Sequence, residues 1–177
     1  MSEQGVHEDT LVAMANGTTL EAKHVTPGDI VATPDGGALT IAHVVKIQCA
    51  GKKQQFVVLP GGLRVLPWHP VRPRQDWVVP CDLGFPCKIL PCSHIYLFAC
   101  KWGNLARTPA LVGDGTPFVI LGHEAALGHR LHHPFFGSIS TCIGPLGLCT
   151  THEFSDDPVV RDPVTHAVCA WDLTKRL

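Results

Sequence analysis

Glycine and proline punctuate this chain so often that long helices have little room. Its 177 residues include 17 Gly and 15 Pro, and before about residue 122 no stretch of ten or more shows a 3.6-residue apolar period. Short β-type runs lie between the breaks. Thr10 to Met14 closes on the turn Asn16-Gly17 and Thr18 to Glu21 returns from it, the pattern of a hairpin. Ile30 to Thr33 ends at Pro34-Asp35-Gly36-Gly37, and Ala38 to Ile47 reads as a longer strand. Gln55 to Leu59, Leu63 to Leu66 and Asp76 to Val79 follow, and Ala167 to Trp171 suggests a last strand docked on the body. The expected fold class is therefore all-β, a closed sheet or sandwich. One short helix is expected around Glu124 to Leu127. Composition changes near His123, where His-, Gly- and Cys-containing segments begin. The expected organisation is a flank at residues 1–4, a core at 5–123 and a C-terminal extension at 124–177 packed on it.

Hydrophobic residues make up 45%, enough for a sizeable core. Charged residues are 16% and the net charge is -1, so no basic stripe supports binding to nucleic acid or to an anionic membrane. No apolar run is long enough to span a bilayer, and Met1-Ser2-Glu3-Gln4 lacks a signal-peptide pattern. An intracellular setting and free thiols are the expectation for the 8 cysteines. No G-x-S-x-G elbow is present, which argues against a multiple-turnover hydrolase.

Leu66-Pro67-Trp68-His69-Pro70 is the segment richest in chemistry. Breaking a peptide bond from within takes a nucleophile just after the bond, a proton donor for the departing nitrogen, and hydrogen bonds that hold the oxyanion. Two prolines stiffen the loop around His69, which suits a histidine that must hold one position. The plainer reading is a turn histidine with Trp68 packed beneath it.

The order of motifs resembles the Hint (hedgehog/intein) superfamily. Asp9-Thr10-Leu11-Val12-Ala13-Met14-Ala15-Asn16-Gly17-Thr18, followed by Gly28-Asp29-Ile30-Val31, is similar to its opening block. Leu63 to Val71 is similar to the block that carries T-x-x-H, and Ile95-Tyr96-Leu97-Phe98 to a later strand. Phe118-Val119-Ile120-Leu121-Gly122-His123 is similar to the closing strand. His132-His133-Pro134-Phe135-Phe136-Gly137 resembles the Vint branch, found attached to von Willebrand factor A domains. The resemblance implies a compact horseshoe of short, mostly antiparallel strands that processes its own N-terminal flanking polypeptide, within a host protein carrying such a domain. It also implies an N-to-S acyl shift: a residue at position 5 attacks the carbonyl of Gln4, His69 serves the departing nitrogen, and His123 assists a C-terminal step.

Three residues depart from that pattern. Gly5 stands where the nucleophilic cysteine belongs, so the first step has no nucleophile. Leu66 stands in place of the family threonine, and Glu124 in place of the asparagine that inteins cyclise. The resemblance thus implies an autoprocessing domain inactive as written and unable to splice. A decayed Hint scaffold kept for binding or structure is the first alternative. A zinc-stabilised β-module without Hint ancestry is the second. The candidate ligands for a structural zinc are Cys81, Cys87, Cys92 and His94, four soft donors in one Pro- and Gly-rich loop, though without a C-x-x-C knuckle.

Overall fold

β-branched and aromatic runs become strands here because each can bury its apolar face only by pairing. The computed structural model describes residues 4–101, 109–123 and 133–177. The helix expected at Glu124 to Leu127 lies outside the described residues, as do His132 and most of the N-terminal flank. The strands are β1 (Val6–His7), β2 (Leu11–Ala13), β3 (Thr19–Glu21), β4 (Ile30–Ala32), β5 (Ala38–Gln48), β6 (Lys53–Val58) and β7 (Arg64–Val65). They continue with β8 (Cys87–Pro91), β9 (His94–Cys100), β10 (Ala110–Gly113), β11 (Thr116–Val119), β12 (Thr151–Phe154), β13 (Val159–Arg161) and β14 (Val168–Trp171). One short helix, α1 (Ile139–Cys142), is described. The all-β expectation holds. Among the described residues, no helix is long and apolar enough to cross a membrane.

The main sheet runs β12-β5-β9-β1-β7-β6-β8, with β4 paired to the first half of β5. A second sheet runs β11-β10-β2-β3. Most pairings are antiparallel; β12 joins β5 in parallel, from Thr151↔Val44 to Phe154↔Ile47. The C-terminal segment thus supplies a strand of the main sheet. Two apolar clusters flank this framework. One gathers Val6, Val12, Val31, Ile41, Val65, Phe98 and Phe118. The other gathers Phe56, Leu66, Ile95, Phe135, Phe136, Phe154 and Trp171. The two-residue strand β1 lies between β7 and β9, with Val6 opposite both Val65 and Tyr96. Residue 5 therefore enters the molecule at the seam between the two clusters.

Some expected strands differ. Asp76 to Val79 forms no strand; Val78 makes only an isolated bridge to Val71. The last strand pairs with β13 in a hairpin of its own rather than with the main sheet. It docks through Trp171, which stacks on Phe154 at 5.1 Å, meets Phe135 edge-on at 5.3 Å, and donates its indole N–H to the Cys142 carbonyl at 2.7 Å. The strand before His123 ends at Val119, because Gly122 turns the chain at φ +80° and gives its N–H to Phe136 O at 2.8 Å.

A Cβ on Gly122 would stand 2.4 Å from Cδ1 and Cγ1 of Ile139. Gly122→Ala is expected to cost about 3 kcal/mol, combining overpacking with a left-handed alanine. Urea denaturation checks this, and Ile139→Ala in the same chain should recover only the overpacking share.

Candidate active site

Pro67 sits second in a β-turn over residues 66–69, the place where its fixed φ suits the turn, and His69 N–H donates to Leu66 O at 3.0 Å across it. This turn grips residue 5 at both ends. Leu66 N–H donates to Gly5 O at 3.0 Å, extending the β1–β7 pairing by one bond. Gly5 N–H donates to Nδ1 of His69 at 2.8 Å, in a buried contact. The nitrogen of the Gln4–Gly5 peptide bond is therefore the atom that His69 holds.

The tautomer follows from these partners. Because Nδ1 accepts from Gly5, the ring proton is on Nε2, which donates to Val119 O at 2.9 Å. Phe118 packs an edge against the ring at 5.8 Å. Burial is the largest influence on His69 and pushes its pKa down to about 3; the Val119 carbonyl opposes this, and charge on His123 adds to it. At neutral pH the ring is an uncharged acceptor facing the amide. His123 is buried as well and close enough to His69 for their charges to interact.

Two expectations, for Trp68 and for the cysteine cluster, need correction. Trp68 is not packed beneath His69; it is 58% exposed, since the turn directs it outward. The Leu66 side chain lies in the second apolar cluster, so this residue reaches the junction only through its backbone N–H. Cys81, Cys87, Cys92 and His94 do not converge. Cys87 is exposed on β8, which pairs with β6 at Val57↔Cys87 and straightens the supposed loop. Cys81 is exposed in a 3-10 turn, whereas Cys92 is buried and its thiol donates to His94 O at 3.0 Å. Cys92 has other neighbours, His7 and Glu8, whose donor atoms lie with its sulfur within 4.8 Å of one another. Sequence reading missed them because β1 is too short to register as a strand.

Gly5 occupies a conformation made for glycine. Its φ is +151°, and a Cβ would stand 3.0 Å from Cδ1 and 3.2 Å from Cβ of Ile95. Position 124, where inteins carry asparagine, lies outside the described residues.

A family model described as Hint-domain, that of the Vint family, matches residues 5–170. Among solved structures, the crystal structure of the gp41-1 intein is similar with a TM-score of 0.49 at 14% identity, over 67% of this chain and 99% of that one. The solution structure of a bacterial intein-like domain from Clostridium thermocellum is similar with a TM-score of 0.49 at 14% identity, over 68% and 99%. The crystal structure of the Msm DnaB1 intein splicing domain bound with zinc is similar with a TM-score of 0.48 at 12% identity, over 64% and 98%. No curated protein matches the chain.

Proposed function

Because the chain belongs to the Vint family of Hint domains, we propose that it is an autoprocessing domain whose scissile bond joins Gln4 to residue 5, arrested by the missing side chain of Gly5. Hint domains as a class act on their own flanking polypeptide. The observation that carries the finer reading is the 2.8 Å hydrogen bond from the residue 5 nitrogen to His69 Nδ1.

A cysteine at position 5 supplies the nucleophile that Gly5 lacks. The thiol proton passes to Nδ1 of His69, which is unprotonated at neutral pH and already beside that residue. The thiolate attacks the carbonyl carbon of Gln4. Nδ1 returns the proton to the residue 5 nitrogen as the C–N bond breaks, leaving a thioester at Gln4 and a free amine at residue 5. The Val119 carbonyl keeps the proton on Nε2 and so keeps Nδ1 aimed at the junction. Leu66 N–H holds residue 5 in place through its carbonyl. Glu124 has no amide side chain to cyclise, so the reaction stops at N-terminal cleavage.

A second reading has its own observation. Ile95 fills the space a side chain at residue 5 would need, as expected of a scaffold that has settled around glycine. One experiment separates the two. In a Gly5→Cys chain, added thiol should release residues 1–4 as a mass loss, and His69→Gln in that chain should abolish the release. A folded Gly5→Cys chain that stays intact points to the scaffold role.

A further inference from the structure

Strand β1 decides where the residue 5 nitrogen lies, yet its ladder is short: one registered pair with β7 and two with β9. Val6, its first residue, has no polar side chain to fix it further. The far end of the strand does have such groups. His7 is buried and uses both ring nitrogens. Nδ1 accepts from Asp9 N–H at 3.0 Å, so the ring proton is on Nε2, which donates to Pro91 O at 2.8 Å. Glu8 Oε1 accepts from Ser93 N–H at 2.9 Å. The two contacts fall on either side of Cys92, in the link that carries the chain from β8 at the sheet edge to β9 beside β1.

The donor atoms of His7, Glu8 and Cys92 gather within 4.8 Å of one another, but each is already engaged. The imidazole and the carboxylate hold the partners just named, and the Cys92 thiol donates to His94 O at 3.0 Å. The cluster is a clip on the strand. It also shares a face with the junction, because side chains alternate along a strand and residues 5 and 7 project to one side. The His7 ring tilts against Phe56 at 5.1 Å between centroids, and a Cβ on residue 5 would meet Ile95, the residue paired with His7. Phe56 and Ile95 belong to the same apolar cluster. A shift of β1 at His7 therefore reaches residue 5 through a single intervening residue, the buried Val6.

On the self-cleavage reading of the Gln4–Gly5 bond, we propose that His7 and Glu8 are positioning residues. They clamp β1 to the link between β8 and β9 and so hold the residue 5 nitrogen on His69 Nδ1. Neither touches the reacting atoms. A misplacement of about 1 Å at a reacting centre costs on the order of 10²-fold in rate, and the 2.8 Å contact between residue 5 and His69 leaves little slack. The two halves of the clamp are chemically distinct: His7 donates at Nε2, and Glu8 accepts at Oε1. A histidine that only filled space beside Phe56 would need no donor there.

The unsubstituted chain tests the clamp without any cleavage, because Gly5 keeps the junction intact. The readout is hydrogen exchange of the Gly5 amide, followed by NMR. Two substitutions divide the roles of the ring: Gln places an N–H where Nε2 was, and Asn places an oxygen where Nδ1 was. His7→Asn should speed Gly5 exchange by about tenfold. His7→Gln should recover most of that protection, although both variants lose the ring on Phe56. Glu8→Ala should act like His7→Asn, and Glu8→Gln should restore protection because its oxygen still accepts from Ser93. Glu8 is only half-buried, so its variants carry the test if His7→Asn does not fold. In Gly5→Cys chains the same substitutions should slow thiol-induced cleavage in the same order. Unchanged Gly5 exchange in folded His7→Asn and Glu8→Ala overturns the proposal. So does equal loss of protection in His7→Asn and His7→Gln, which makes His7 a packing residue. If Gly5→Cys never cleaves but the exchange order is kept, the cleavage reading fails while the clamp on residue 5 is supported.

Discussion

Gly5→Cys combined with Ile95→Val should cleave the bond after Gln4 faster than Gly5→Cys alone, and the unsubstituted chain should not cleave at all. The ordering comes from packing. A Cβ at residue 5 meets Ile95 Cδ1 at 3.0 Å, Cβ at 3.2 Å and Cγ1 at 3.4 Å. Valine removes the outermost contact and keeps a β-branched residue opposite His7 on β9. The backbone is the remaining obstacle, since φ of +151° is one that an L side chain rarely adopts. Holding a cysteine there costs on the order of 1–3 kcal/mol. That strain lies at the bond to be broken, and relief of it on forming the thioester lowers the barrier by some part of the same amount. The measurement is the appearance of the chain lacking residues 1–4, timed by intact mass with and without added thiol. Thermal melts of both variants report whether each is folded. Equal rates for the two variants would mean that Ile95 yields freely and that the Gly5 pocket is no barrier. A folded double variant that never cleaves would move the chain to the scaffold reading.

The site was partly legible in the sequence for a definite reason. His69 could be found because its turn is a local device: Pro67 sets the bend, and the histidine follows within two residues. What it touches could be named only through the resemblance, since Gly5 is far off in the chain and arrives by way of β1. Two residues have too little periodicity to announce a strand, and β1 exists because β7 and β9 hold it from both sides. A long-range register is equally hard to read: Cys49 lies just past β5 and Cys92 shortly before β9, and the β5–β9 pairing brings these two strand ends together. The loop reading of Cys81 to His94 failed because β8 pairs along β6 from Val57↔Cys87 to Lys53↔Pro91, and this extended path carries the cysteines apart. Trp68 was misplaced for a different reason: a tryptophan beside a buried histidine reads as its packing partner, whereas the third position of the turn sends it to solvent.

Acid should unfold this protein through His69. A histidine free in the unfolded chain takes up a proton near pH 6.5, whereas His69 in the folded chain stays neutral down to about 3. Between those values the unfolded state holds the extra proton, so stability rises with pH and is lost on acidification. The contribution is complete above the unfolded value and gone below the folded one. For a fully buried ring the loss is on the order of 4 kcal/mol by the acid end, a large part of the roughly 5–15 kcal/mol that holds a typical domain together. His152, held down to about 4 mainly by burial and then by the Arg176 guanidinium that donates to its Nδ1 at 2.8 Å, acts in the same direction. Urea midpoints measured from neutral pH downward should therefore fall steadily. His69→Gln should flatten the curve by more than His152→Gln does, although it also weakens the native state at neutral pH by disturbing the contacts to Gly5 and Val119. Ring resonances supply the second check. The His69 signal should remain at its neutral position in folded protein at pH values where a histidine of the unfolded chain takes up its proton. A His69 ring that titrates near 6.5 in the folded state, the value of a free histidine, would mean that Nδ1 is open to solvent and does not rest on the residue 5 amide.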